Sequence, residues 1–207
     1  YTLSLHDALP IFWFIVFVLP MFLLTPDFPT RRPVRSAVRE GLIELRTTLG
    51  ELPKHRSMAA FLLANMIYTD GLVSLFAFGG IYAAGTYGWH TIQIGTFGIL
   101  LAVAGTLGAW IGGKLDDRLG PKFVIAASMI VLLSAIVAIL MVDKDSILFV
   151  KVAPPVPGGG LFAAPAEKAY LILGCLIGGA GGPLQAASRT LLIRMAPKDR
   201  IAQFFGL

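Results

Sequence analysis

Gly113-Lys114-Leu115-Asp116-Asp117-Arg118-Leu119-Gly120-Pro121-Lys122 is a charged, glycine-punctuated decapeptide between two long apolar runs, about Ile92–Ile111 and Phe123–Val142. Wound as α-helix at roughly 1.5 Å per residue, each run crosses the roughly 30 Å hydrocarbon core of a bilayer. A link this short makes the two helices antiparallel neighbours and the decapeptide a tight turn at one membrane face. Gly113 lacks a Cβ and lets another helix come close, while Asp117 is an acceptor for unpaired backbone donors at a helix N-terminus. Arg118 and Lys122 carry the positive charge that holds a loop on the cytoplasmic side. Gly120-Pro121 ends one helix and starts the next.

The order of these residues resembles the signature loop of the major facilitator superfamily, G-x-L-x-D-R-x-G-(R/K)-(R/K). Gly113, Leu115, Asp117, Arg118, Gly120 and Lys122 match, and Pro121 stands where the pattern has a basic residue. A generic hydrophilic turn would explain the charges but not their order. The resemblance implies an all-α membrane protein of the major-facilitator helix-bundle type, with Gly113, Asp117, Arg118, Gly120 and Lys122 forming a loop that controls the cytoplasmic gate.

Composition agrees. Hydrophobic residues make up 56% of the chain and charged ones 14%, with a mean hydropathy of +0.77; soluble domains carry about a quarter charged residues. The formal charge of +5 is distributed in a way that excludes a nucleic-acid binder. Of 17 Lys and Arg, fourteen fall in Arg31–Arg56, in the decapeptide and in Arg189–Arg200, and only Lys144, Lys151 and Lys168 fall in the alternate loops. This positive-inside asymmetry orients the chain, with the regions around Arg46, Asp116 and Lys198 cytoplasmic. The single cysteine, Cys175, lies in an apolar run and reads as a small core residue, so no internal disulfide or cysteine metal site is available.

Tyr1–Ile11 reads as the translation of a common short-read sequencing adapter fused in frame to a truncated gene, which removes His6 and Asp7 from the site candidates. Residues 12–25 read as the end of a transmembrane helix stopped by Pro26 and Pro29. Over 26–57 the chain is a cytoplasmic connection containing an amphipathic helix at 34–52, its apolar residues at Val34, Val38, Leu42, Leu45, Leu49 and Leu52 and its charges to the other side. Residues 58–207 are read as a truncated half-bundle with helices at about 58–84, 92–112, 123–142 and 169–188 and the start of another near 203. About five transmembrane helices result, with Tyr87 and Trp89 as an interfacial aromatic pair and 143–168 a loop without periodicity.

Asn65-Met66-Ile67-Tyr68-Thr69-Asp70-Gly71 holds the one acidic residue deep in apolar sequence. A carboxylate at a helix centre costs about 2.5–3.5 kcal/mol on the insertion scale, so it faces the bundle interior or an aqueous cavity. There Asp70 serves to bind a cation, carry a proton or pair with a substrate amine, with Tyr68 and Asn65 as weaker companions; packing alone is the bland alternative. Gly71 eases local unwinding. Gly174, Gly178 and Gly182 form two overlapping G-x-x-x-G steps for close helix packing. Gln185 and Arg189, one helical turn apart, can act together on an anionic group.

Tyr68-x-Asp70-Gly71 and Gln185-x-x-Ser188-Arg189, with Pro197 and Phe204-Phe205-Gly206, are similar to one branch of the superfamily: the permeases related to fungal vacuolar amino-acid exporters linked to autophagy, which has many bacterial members. That resemblance implies a secondary transporter working by alternating access, moving a small solute such as an amino acid with a coupling proton or ion. It further implies a bacterial inner membrane, a monomer at full length and no cofactor. A transport-inactive membrane scaffold of the same fold is the alternative. An enzyme is not expected: neither H-E-x-x-H nor G-x-S-x-G occurs, and no acidic partner accompanies Asp70.

Overall fold

The computed structural model describes residues 5–25, 34–51, 53, 56–152 and 160–197. Pro26 and Pro29, the run 154–159, Lys198, Arg200 and the helix expected near 203 lie outside them. The chain divides into two units, Tyr1–Arg46 and Thr47–Leu207.

The first unit holds α1 (Leu5–Leu24) and most of α2 (Val34–Glu51). Apolar residues fill α1 all round, and its large side chains are exposed, with Trp13 stacked on Phe17 one turn later at 5.5 Å between ring centroids. A helix apolar on every face is what lipid accepts and water does not. In α2 the exposed Val38, Leu42 and Leu45 fall along one stripe.

The second unit comprises α3 (Arg56–Tyr87), α4 (Thr91–Leu119), α5 (Pro121–Leu140), three two-residue strands β1 (Val142–Asp143), β2 (Ser146–Ile147) and β3 (Val150–Lys151), and α6 (Pro165–Met195). All four of these helices are long and apolar enough to cross a membrane, and Ile11–Leu24 of α1 is a shorter apolar stretch. The result is an all-α membrane bundle organised on α6. Half of the most apolar window of α6 is buried, against 6% in α3 and α4.

Glycine makes that burial possible. A Cβ on Gly178 would stand 2.6 Å from the Leu101 carbonyl oxygen, and one on Gly182 2.5 Å from that of Gly105. Cβ atoms at Gly108, Gly112 and Gly174 would overlap Gly179, Pro183 and the Phe97 ring. Helix α4 therefore lies on α6 backbone to backbone. Pro183, inside α6, has no N–H, so the Gly179 carbonyl four residues earlier loses its helical donor. A Cβ on Gly108 would run into this oxygen, so the glycine lets the two backbones meet where the helical bond is missing.

The decapeptide turn is tighter than its sequence suggests. Helix α4 continues through Gly113 to Leu119, and Gly120 alone, at φ 83°, separates it from α5, with Pro121 at the first helical position. Gly120 donates its N–H to Asp116 O at 2.9 Å. The charges do not end the helix because Lys114, Asp117 and Arg118 are exposed and, past the hydrocarbon, carry no insertion cost. The same reason carries α6 out to Pro165 and Met195 beyond the expected 169–188. At this Gly120 end, Met58, Leu192 and Ala196 pack together and tie the start of α3 to the end of α6.

At the opposite end the expected interfacial pair is resolved differently. Trp89 is only 4% exposed and packs among Phe97, Phe162 and Tyr170, with ring centroids 4.8–5.6 Å away. Its Nε1–H donates to Glu167 Oε1 at 2.9 Å, while Glu167 Oε2 accepts the Ala164 N–H at 2.9 Å and so caps α6. The run expected to lack order begins with an antiparallel meander, in which Val142 pairs with Ile147 and Ile147 with Val150. Alternation is not visible in two-residue strands, which is why the sequence does not announce them.

Candidate functional site

Within the apolar seam formed by Leu72, Leu132, Ile177 and Leu184, one polar chain joins α3 to α6. The Tyr68 hydroxyl contacts both Asn65 Oδ1, one turn earlier on α3, and Ser188 Oγ on α6. Ser188 donates in turn to Leu184 O at 2.6 Å. With Asn65 Oδ1 facing the phenol, Tyr68 and Ser188 hold two protons for three contacts, and one bond goes unmade. An Asn amide is oriented by its network. Turning it lets Nδ2 donate to Tyr68, Tyr68 to Ser188 and Ser188 to Leu184 O, so every link is satisfied and Asn65 Oδ1 is left as an outward acceptor. A second phenol works in the reverse direction: Tyr170 of α6 donates to Gly79 O of α3 at 2.8 Å.

Asp70 stands apart from this chain. Two residues after Tyr68, it lies roughly 200° further round α3 and is exposed. Gly71 has nothing within 4 Å of a would-be Cβ, and it borders two apolar cavities of about 300 and 340 Å3 between α3, α5 and α6. Gln185 is exposed at the edge of a third, about 380 Å3, walled by Phe76, Ile94 and Phe97 and floored by glycines of α4 and α6. Arg189, one turn beyond Gln185, is exposed as well. The structure thus brings Asn65 and Tyr68 together and keeps Gln185 and Arg189 on one strip of α6, but sets Asp70 on the far side of α3.

At the Gly120 end, Asp117, Arg118 and Lys122 are exposed. Gly113 has nothing within 4 Å of a would-be Cβ; the close approach expected there occurs one residue earlier, at Gly112 against Pro183. Asp116 is the carboxylate turned inward: its Oδ1 is buried with no hydrogen-bond partner among the described residues. It follows Gly112 by one turn and precedes Gly120 by another, so it continues the row of α4 that faces α6. Arg194 Nη1 lies 4.0 Å from the position a Gly120 Cβ would take, and Lys114 Nζ sits 3.6 Å over the Trp110 ring.

Sequence reasoning named Ser188 only within the Gln185-x-x-Ser188-Arg189 resemblance and gave it no site role, and it did not single out Asp116. For Ser188 the available signal was a small hydroxyl three residues after Gln185 in an apolar span. For Asp116 it was the four-residue step from Gly112. Among the described residues no group of three or more His, Cys, Asp or Glu is placed to hold a metal ion.

Membrane-length helices packed through glycine and the superfamily loop together define a multi-pass membrane protein with a helix bundle of the major-facilitator type. Residues 8–207 match the family described as vacuole effluxer Atg22 like, and the chain belongs to that family. It is similar to a Bacillus subtilis (strain 168) protein described as the uncharacterized MFS-type transporter YceJ, 27% identical over 100 residues. That stretch covers 48% of this chain and 25% of the relative, so the chain matches a quarter of the relative's length. No solved structure matches.

Proposed function

We propose that the full-length protein moves a small solute, an amino acid by the resemblance, across a bacterial inner membrane by alternating access, with a proton or ion coupled through Asp70. The observation that carries this is the two-sidedness of α3. One face is hydrogen-bonded to α6 through Tyr68 and Ser188, while the opposite face presents Asp70. Unfilled space beside Gly71 leaves α3 room to shift. A ligand or proton that binds Asp70 better in one position of α3 than in another biases that position, which is the thermodynamic content of coupling. Gln185 and Arg189 would hold an anionic end of the solute, and Gly113, Asp117, Arg118, Gly120 and Lys122 would form the cytoplasmic gate. The protein acts as a monomer and takes no cofactor.

The test is flux into proteoliposomes holding the full-length transporter, over a panel of amino acids, peptides and sugars, with and without a proton gradient. Asp70→Asn should abolish gradient-driven accumulation while leaving the protein folded. Accumulation unchanged in that variant removes Asp70 from the mechanism. Absence of solute flux in the parent across the whole panel favours the transport-inactive scaffold.

A further inference from the structure

We infer that the Val38–Arg46 segment of α2 binds the surface of an anionic bilayer, with its apolar stripe among the acyl chains and its arginines at the lipid phosphates. Val38, Leu42 and Leu45 are 58%, 62% and 41% exposed. At roughly 100° per residue they fall within a sector of about 60°. Arg39 and Arg46, both exposed, fall roughly 80–100° round from Val38, side by side on one flank of the stripe. Glu40 and Glu44 fall roughly 200–240° round, away from it. The two guanidiniums thus lie where long aliphatic stems run along apolar surface and lift their charged heads to the phosphate layer, and the carboxylates lie where the water is.

Both guanidiniums are exposed. A planar guanidinium matches a phosphate diester in shape and charge. In chain order α2 ends at Glu51 and α3 begins at Arg56, so the segment is joined covalently to a helix long and apolar enough to cross a bilayer.

The experiment places a single environment-sensitive label on the full chain in nanodiscs, in a Cys175→Ser background, at Leu42→Cys or at Glu44→Cys. The discs are of phosphatidylcholine alone or with phosphatidylglycerol, and quenching is read from lipid-borne spin labels and from aqueous iodide. With phosphatidylglycerol present, the Leu42 label should be quenched from the lipid and shielded from iodide, and the Glu44 label should show the reverse. Arg39→Gln with Arg46→Gln should lower the lipid-quenched fraction roughly fivefold or more, and Arg39→Lys with Arg46→Lys should restore most of it. Three results overturn the inference. They are a Leu42 label shielded from both quenchers, which means protein covers the stripe; one reached by iodide in anionic discs; and equal lipid quenching in phosphatidylcholine alone.

Discussion

Tyr68 and Ser188 are each small contributors whose value lies in their pairing. Removing the phenol oxygen in Tyr68→Phe leaves Ser188 its bond to Leu184 O, and Ser188→Ala leaves Tyr68 its contact with Asn65. Ser188→Ala strands no polar group and Tyr68→Phe takes a partner only from half-buried Asn65, so each should cost no more than about 1–1.5 kcal/mol. The double variant should cost less than the sum. A thermal-denaturation cycle in detergent is expected to return a coupling of about 0.5–1.5 kcal/mol; additivity within about 0.3 kcal/mol would mean the two hydroxyls do not interact. Asp116 behaves in the opposite sense. Its buried, partnerless Oδ1 is a cost the fold carries, on the order of 1–3 kcal/mol for an unsatisfied group. Asp116→Asn, which removes the charge and adds two donors, should leave the melting temperature unchanged or raise it, whereas exposed Asp117→Asn should not move it. Asn65 and Tyr68 were legible in the sequence because they are polar residues one turn apart in an apolar run. The pairing of Ser188 with Tyr68 and the burial of Asp116 were not, because they depend on which face of one helix meets which face of another, and no single-helix periodicity records that.

For whole elements the same logic decides which glycines matter. Small residues recur along α4 at Gly105, Gly108, Ala109, Gly112 and Gly113, and the structure uses them unequally. A Cβ at Gly108 overlaps the Gly179 backbone, while one at Gly113 meets nothing within 4 Å. Gly108→Ala should therefore destabilise by about 1–3 kcal/mol through overpacking, since a backbone carbonyl cannot swing aside like a side chain. Gly113→Ala, in an open stretch of α4, should stabilise by up to about 1 kcal/mol from helix propensity. Chemical or thermal melts of the two variants in the same detergent would show opposite signs. At the other end of the bundle, Glu167 fastens the α3–α4 connection to the start of α6 by accepting from Trp89 and from Ala164. Glu167→Ala should cost about 1–3 kcal/mol and shift Trp89 emission as its indole loses its partner. Hydropathy marks the apolar stretch inside each of the four membrane-length helices. It fell short at their ends, because transfer energy stops at the first charge and a helix does not.

Across the molecule, the even number of spans between two positions is a stronger constraint than any one helix boundary. Arg46 lies in α2 and Lys114 near the end of α4, and between them the chain runs through α3 and α4, each long and apolar enough to cross a bilayer. Two crossings return the chain to the face it left. Lys144, in the turn between β1 and β2, is one further crossing away through α5. Single cysteines at Arg46 and Lys114 in a Cys175→Ser background should therefore react with a membrane-impermeant maleimide from the same side, and a cysteine at Lys144 from the other. On the proposed orientation, with the Lys- and Arg-rich set that includes Arg46 and Lys114 facing the cytoplasm of a bacterial cell, spheroplasts labelled from outside should modify the Lys144 position alone. Labelling of the Arg46 and Lys114 positions from opposite faces would require an odd number of crossings between them. Either α3 or α4 would then lie within one face of the membrane; were it α4, the backbone seam that Gly108, Gly112 and Gly178 hold between α4 and α6 would no longer run across lipid.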